Sequence, residues 1–152
     1  MPSSTTAKLG SILNFNMEDN ISVPIFVESR YKVSRKKIKK TVEEALKREG
    51  VSGPCEVSVA IVGNRKMHYL NKTYRNIDKS TNVLSFSQIE GEPTVFPKDK
   101  KFKEKTGLFL GDVIISYPYI IKEAAQQNVL VDTYICELVE HGLMHLLGKH
   151  HR

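Results

Sequence analysis

His141-Gly-Leu-Met-His145-Leu-Leu-Gly148-Lys-His150-His151 is the stretch of this 152-residue chain on which the reading of its fold and chemistry depends. Residues 131 to 147, which lead into it, place Ile135, Leu138, Val139 and Leu146 at helical spacing, so a C-terminal helix opening at Val131 or Asp132 is predicted. On such a helix His141 and His145 lie four apart, about one turn, and point both imidazoles at one place. Gly148, just past the helix end, can take a positive φ without steric conflict and turn the chain, which lets His151 approach the same point from outside the helix. Three neutral imidazoles suit a borderline ion such as Zn²⁺, and three protein ligands leave the fourth tetrahedral position for water, the arrangement of a catalytic centre. A His-x3-His pair alone is more often a solvated helix face. The glycine and the third histidine at fixed intervals put the metal reading ahead, with His141, His145 and His151 holding one ion per chain.

Metzincin peptidases share this spacing but place a glutamate directly after the first histidine as general base. Here that residue is Gly142, which cannot move a proton. The stretch instead resembles the YbeY family of metal-dependent endoribonucleases, with the signature His-Gly-x-Leu-His-Leu-x-Gly-Tyr-Asp-His. His141, Gly142, His145, Leu146, Gly148 and His151 match it; Met144, Lys149 and His150 stand for its Leu, Tyr and Asp. A second segment, Leu70-Asn-Lys-Thr-Tyr-Arg75-Asn-Ile-Asp78-Lys-Ser-Thr-Asn82-Val-Leu-Ser-Phe86, resembles another signature of the family, with Ser80 for Pro and Asn82 for Asp. Leu110-Gly-Asp112-Val-Ile-Ile is the third. The resemblance spans roughly residues 20 to 151. It implies a mixed four-stranded sheet flanked by helices, with the metal helix central.

The residues alone leave two roles for Arg75: a surface pair with Asp78, or a planar two-pronged grip on phosphate. The resemblance favours the second and implies that Arg75 lies in the catalytic cleft. Asp112 has two readings as well. It orders the turn after Gly111, or it stands behind a ligand histidine.

The length suits one domain with a real core. No apolar run approaches the roughly 20 residues needed to cross a bilayer, and the first residues lack both the basic start and the apolar middle of a secretory signal. A cytoplasmic protein without membrane partners is the expectation. Cys55 and Cys136 read as small apolar side chains and not as a disulfide or metal pair. The formal net charge of +6 favours polyanionic partners.

Residues 1–19 show no sustained period and read as a mobile tail, which leaves 20–152 as the folded domain. Ile21 to Val27 is β-branched, but Pro24 removes a backbone donor and confines this strand to a sheet edge. Ser34 can cap a helix from Arg35 to Glu49 with Ile38, Val42, Ala45 and Leu46 on its buried stripe and Gly50 as the stop. Its other faces carry Lys36, Lys37 and Lys40, which read as a solvated face or as RNA contacts. Glu56 to Val62 alternates, as a strand with one face on the core does. Asn64 can cap a short helix that buries Met67, Leu70 and Tyr74, with His68 on its surface. Phe86 to Leu108 reads as a long connection carrying Lys101 and Lys103, of the kind that often binds substrate. Leu110 to Ser116 is apolar enough for burial on both faces, and Ser116 with Pro118 opens a helix to about Asn128. The predicted class is an α+β (mixed α/β) domain with about four strands in one sheet.

The expected function is a zinc-dependent endoribonuclease cutting single-stranded RNA, with Arg75 on phosphate and Lys36, Lys37, Lys40, Lys101 and Lys103 as further RNA contacts. The resemblance implies a setting in ribosomal RNA maturation, at the 3′ end of the small-subunit RNA, and in ribosome quality control. A small zinc metallopeptidase or other metal hydrolase, and a non-catalytic ribosome-assembly factor with a structural ion, are the alternatives.

Overall fold

Pro24 divides the first strand as its missing N–H requires. The computed structural model describes residues 20–28, 30–96 and 107–148, and in it β1 (Ile21–Ser22) and β2 (Ile25–Val27) both run parallel to β3 (Cys55–Val62) at one sheet edge. Pro24 still accepts a hydrogen bond from Val59 N at 3.0 Å, so only its donor side interrupts the ladder. On the other side of β3 lies β5 (Leu108–Ser116), also parallel, and β4 (Val83–Ser87) closes the sheet antiparallel to β5. The strand order is β1/β2, β3, β5, β4, a mixed sheet of five strands where about four were expected, because the proline makes two of one. The expected tail over 1–19, Lys101 and Lys103, and His150 and His151 lie outside the described residues.

Four helices accompany the sheet: α1 (Arg35–Arg48), α2 (Asn64–Arg75), α3 (Tyr117–Gln127) and α4 (Val131–Leu146). Ser34 caps α1, its Oγ accepting from Lys37 N at 3.2 Å, and Ile38, Val42, Ala45 and Leu46 are buried as the periodicity predicts. Beside this helix lies α4, with Ile135, Val139, Leu143 and Leu146 in the same core. Asp132 in the first turn of α4 accepts from Ser34 N at 3.2 Å, which ties the starts of the two helices together.

Three expectations need correction. Every residue of β3 is buried, not one face of it, because β3 is central and both sheet faces are covered. Val57, Val59 and Ile61 enter the core under α1 and α4; Ala60 and Val62 enter a second core with Met67 and Leu70 of α2, Leu84, Phe86 and Ile114. The α2 cap is Gly63, not Asn64, whose Oδ1 instead accepts from Ser116 Oγ at 2.9 Å and from Ser80 Oγ at 3.3 Å. Tyr74 is left 36% exposed, and Asn71 takes the buried place near that helix end, donating to Lys79 O at 2.9 Å. Among the described residues no helix is long and apolar enough to cross a membrane.

Candidate active site

The position of the two histidines follows from how closely α4 lies on the sheet. Gly142 is buried, and a Cβ built there would stand 2.7 Å from Val113 Cγ1 on β5, too close for any side chain to fit without movement. The absent side chain is thus a packing requirement as well as the loss of the peptidase base. At its end α4 is held by Ser87 Oγ of β4, which donates to Leu146 O at 2.8 Å and satisfies one of the carbonyls a helix end leaves open. Gly148 takes the positive φ expected of it, +79°, with its N–H donating to His145 O at 3.0 Å.

This frame brings His141 Nε2 and His145 Nε2 to 3.2 Å, with the rings nearly edge to face at 73°. Two imidazole nitrogens bound to one tetrahedral Zn²⁺ at about 2.0–2.1 Å stand about 3.3–3.4 Å apart. The pair therefore fits a shared ion by donor type and by separation. Among the described residues no group of three or more His, Cys, Asp or Glu side chains forms such a site. The third expected donor, His151, lies beyond them in the sequence.

Arg75 faces this pair across a cleft of about 380 Å³, whose lining also includes Ser85, Glu90 and Glu92. Its Nη2 donates to Ser85 O at 2.8 Å and pairs with Glu92 Oε1 at 2.7 Å, while the guanidinium carbon stands 4.4 Å from the centre of the Phe86 ring. The pairing with Asp78 is not made. Asp78 belongs to His68, at 2.6 Å, and to Lys72, at 3.9 Å; the His68 hydrogen bond first, and then the Lys72 charge, hold its carboxyl below the usual range. His68 is thereby a surface histidine, as read from the sequence.

Glu92 is the cleft residue that the sequence reading missed. Its other oxygen, Oε2, accepts from Ser87 N at 2.9 Å, and its own N–H donates to Ser87 O at 2.9 Å. A turn after β4 folds the chain back on itself and sets this carboxylate beside Arg75. Nothing in the local sequence marks it, since Glu90 and Glu92 sit in a segment that reads as connection.

Asp112 does not sit in a turn. It lies within β5, fully buried, accepting from Ser58 Oγ and, at 3.3 Å, from Val95 N. Strand alternation turns it, with its cross-strand partner Phe86, to the sheet face away from α4 and its histidines. The lysines of α1 are exposed, and Lys37 and Lys40 line a different groove of about 440 Å³, shared with Glu44, Asp132, Glu137 and Glu140. The structure thus brings together Arg75, His141 and His145 but not Lys36, Lys37 or Lys40. Cys55 and Cys136 are free thiols, and burial pushes the Cys55 thiol up to about 11, which keeps it protonated.

Comparison with known proteins gives a consistent result. The family described as Endoribonuclease YbeY matches residues 25–152. A protein named Endoribonuclease YbeY from Roseiflexus castenholzii is 34% identical over 114 residues, covering 75% of this chain and 68% of the relative. One of the same name from Acinetobacter baumannii strain ACICU is 34% identical over 126 residues, covering 83% and 75%. The fold resembles the solution structure of a Thermotoga maritima protein with a TM-score of 0.52 at 24% identity, over 86% of this chain and 75% of that one. Since the family match runs from β2 through the whole of α4, and so takes in both walls of the cleft, this chain belongs to the YbeY family of endoribonucleases.

Proposed function

We propose that this chain is a Zn²⁺-dependent endoribonuclease specific for single-stranded RNA, acting in the cytoplasm on ribosomal RNA and the ribosome, at the 3′ end of the small-subunit RNA and in ribosome quality control. The observation that carries the reading is the pair of imidazole nitrogens 3.2 Å apart, opposite an arginine in one cleft. His141, His145 and His151 would hold the ion. When bound, it supplies Lewis-acid chemistry, offsetting charge on a phosphoryl oxygen and lowering the pKa of water toward about 7.

The protein's own contribution is orientation. The Phe86 ring and Ser85 O fix the plane of Arg75, whose guanidinium can grip two oxygens of one phosphate in parallel once Nη2 releases Glu92. Glu92 holds the same guanidinium, so an RNA phosphate competes with a carboxylate for it. A peptidase would need a base after the first histidine, and Val113 leaves no room for one at Gly142. Glu140, on the preceding position, is turned to Arg48 at 2.9 Å.

Metal analysis of protein purified without added metal or affinity histidines tests the ligand set. One transition metal per chain is expected for the wild type, and none for His145→Ala. His151→Ala should lose it and His150→Ala should keep it; equal loss in those two would refute the proposed turn after Gly148.

A further inference from the structure

A second surface, on the sheet face away from α4, exposes rings that could have been buried. Phe26 of β2 is 51% exposed and Tyr69 of α2 is 59% exposed. The rings of Phe26 and Phe96 lie 5.9 Å apart, tilted by 31°. Lys66 Nζ stands 5.8 Å from the centre of the Tyr69 ring and 6.0 Å from that of Phe96. Three aromatic rings and one ammonium therefore form one continuous patch. An apolar recess of about 180 Å³ opens between Phe26 and Phe96, lined also by Ser58 and Val59.

Two features decide what such a patch receives. The helix that supplies Lys66 and Tyr69 also carries Arg65, Lys72 and Arg75 and contains no Asp or Glu. Asp78 neutralises part of that charge through His68 and Lys72, and the helix remains cationic. An apolar protein partner has no need of these cations, whereas an unpaired nucleic acid strand offers both phosphates and ring faces to match. The same helix also ends at Arg75 in the cleft. Tyr69 lies six residues earlier, about 9 Å along the axis and about 120° around it at about 1.5 Å and about 100° per residue, so a strand of a few nucleotides that wraps this helix can touch both.

We infer that Tyr69, Phe96, Phe26 and Lys66 form a stacking platform for unpaired bases of the RNA whose phosphate is held at Arg75. The inference rests on the endoribonuclease reading above. Stacking of this kind tolerates any base, because every base has a π-face, and Lys66 adds a cation–π contact. The platform thereby selects for unpaired RNA without reading its sequence. Bases inside a duplex are already stacked and cannot reach it.

The test uses the metal-loaded enzyme, with Tyr69→Ala and Phe26→Ala as variants at exposed positions whose folding is checked by thermal unfolding. The substrate is an unpaired RNA, intact or with one abasic site scanned along the strand. Each alanine variant should raise KM about tenfold while kcat is held, the loss expected for one stacked base. In the wild type an abasic site at one or two positions should raise KM by a similar factor, and Tyr69→Ala should be insensitive at one of them. Tyr69→Phe, which keeps the ring, should retain the wild-type KM. Unchanged KM in both alanine variants, or abasic effects that do not depend on position, would overturn the platform. So would variants that keep their KM for free RNA but lose binding to a ribosomal particle, since the patch would then dock protein. A wild type that cuts no RNA at all defeats the endoribonuclease reading itself; one that cuts normally beside unaltered variants defeats the platform alone.

Discussion

The two walls of the cleft are held in place by different forces. On one wall, His141 and His145 stand where they do because α4 lies with Gly142 against Val113 and buries Ile135, Val139, Leu143 and Leu146. Shape fixes that wall, and close-packed interiors respond to small changes in volume. On the other wall, Arg75 is held by a carboxylate, a carbonyl and a ring face, and its side chain is 31% exposed. Charge fixes that wall, so salt and substrate can both adjust it. A cleft built in this way keeps its histidine pair rigid and leaves its arginine free to exchange partners.

The sharpest way to break this contrast is to add volume to the rigid wall. Gly142→Ala gains about 1 kcal/mol in helix propensity, but it forces a carbon to 2.7 Å from Val113 Cγ1. Overpacking of this kind costs about 1–3 kcal/mol, and it should win. Thermal unfolding should occur several degrees lower, and RNA cleavage should fall because the histidine pair moves with the helix. Removing the clash with Val113→Ala in the same chain should restore part of both. A stable, fully active Gly142→Ala would mean that packing does not set this wall.

On the polar wall the expected balance is reversed, with a large effect on activity and a small one on stability. Arg75→Ala should lower RNA cleavage by an order of magnitude or more with metal content unchanged. Its stability should shift by about 1 kcal/mol or less, the usual range for a partly exposed ion pair. Arg75→Lys should recover only part of the rate, since an ammonium lacks the planar fork. The smallest effect is expected of Glu92→Gln, which weakens the competitor for Arg75 while keeping an acceptor for Ser87 N. RNA affinity should rise by a small factor at low salt and converge with the wild type at high salt; weaker binding would show that Glu92 serves to position the arginine and not to compete for it.

The same contrast explains what could be read from the sequence. The helix bearing the histidines, the α1 stripe from Ile38 to Leu46 and the edge strand broken at Pro24 all follow from local periodicity and backbone chemistry. The second buried face of β3 was hidden, because Glu56, Ser58 and Ala60 alternate with Val57, Val59 and Ile61 like solvent-facing residues. What buries Ala60 is the second layer of α2 and Phe86, and Ser58 is met by Asp112 of β5, all brought to that face by residues distant in sequence. Gly142 was legible as a missing base but not as a contact, since Val113 is known to be its neighbour only once the helix is on the sheet. Glu92 carried no signal at all, because the turn after β4 alone puts it beside Arg75.

One paired assay decides whether the histidine pair serves cleavage of RNA or of peptide bonds. Wild type and His141→Ala are each given single-stranded RNA and an unfolded protein substrate, with and without a chelator and over a range of salt. The wild type should cut only the RNA, chelator and rising salt should both suppress the cutting, and His141→Ala should cut neither substrate. Protein cleavage by the wild type that is lost in His141→Ala, with the RNA left intact by both, would contradict the endoribonuclease reading.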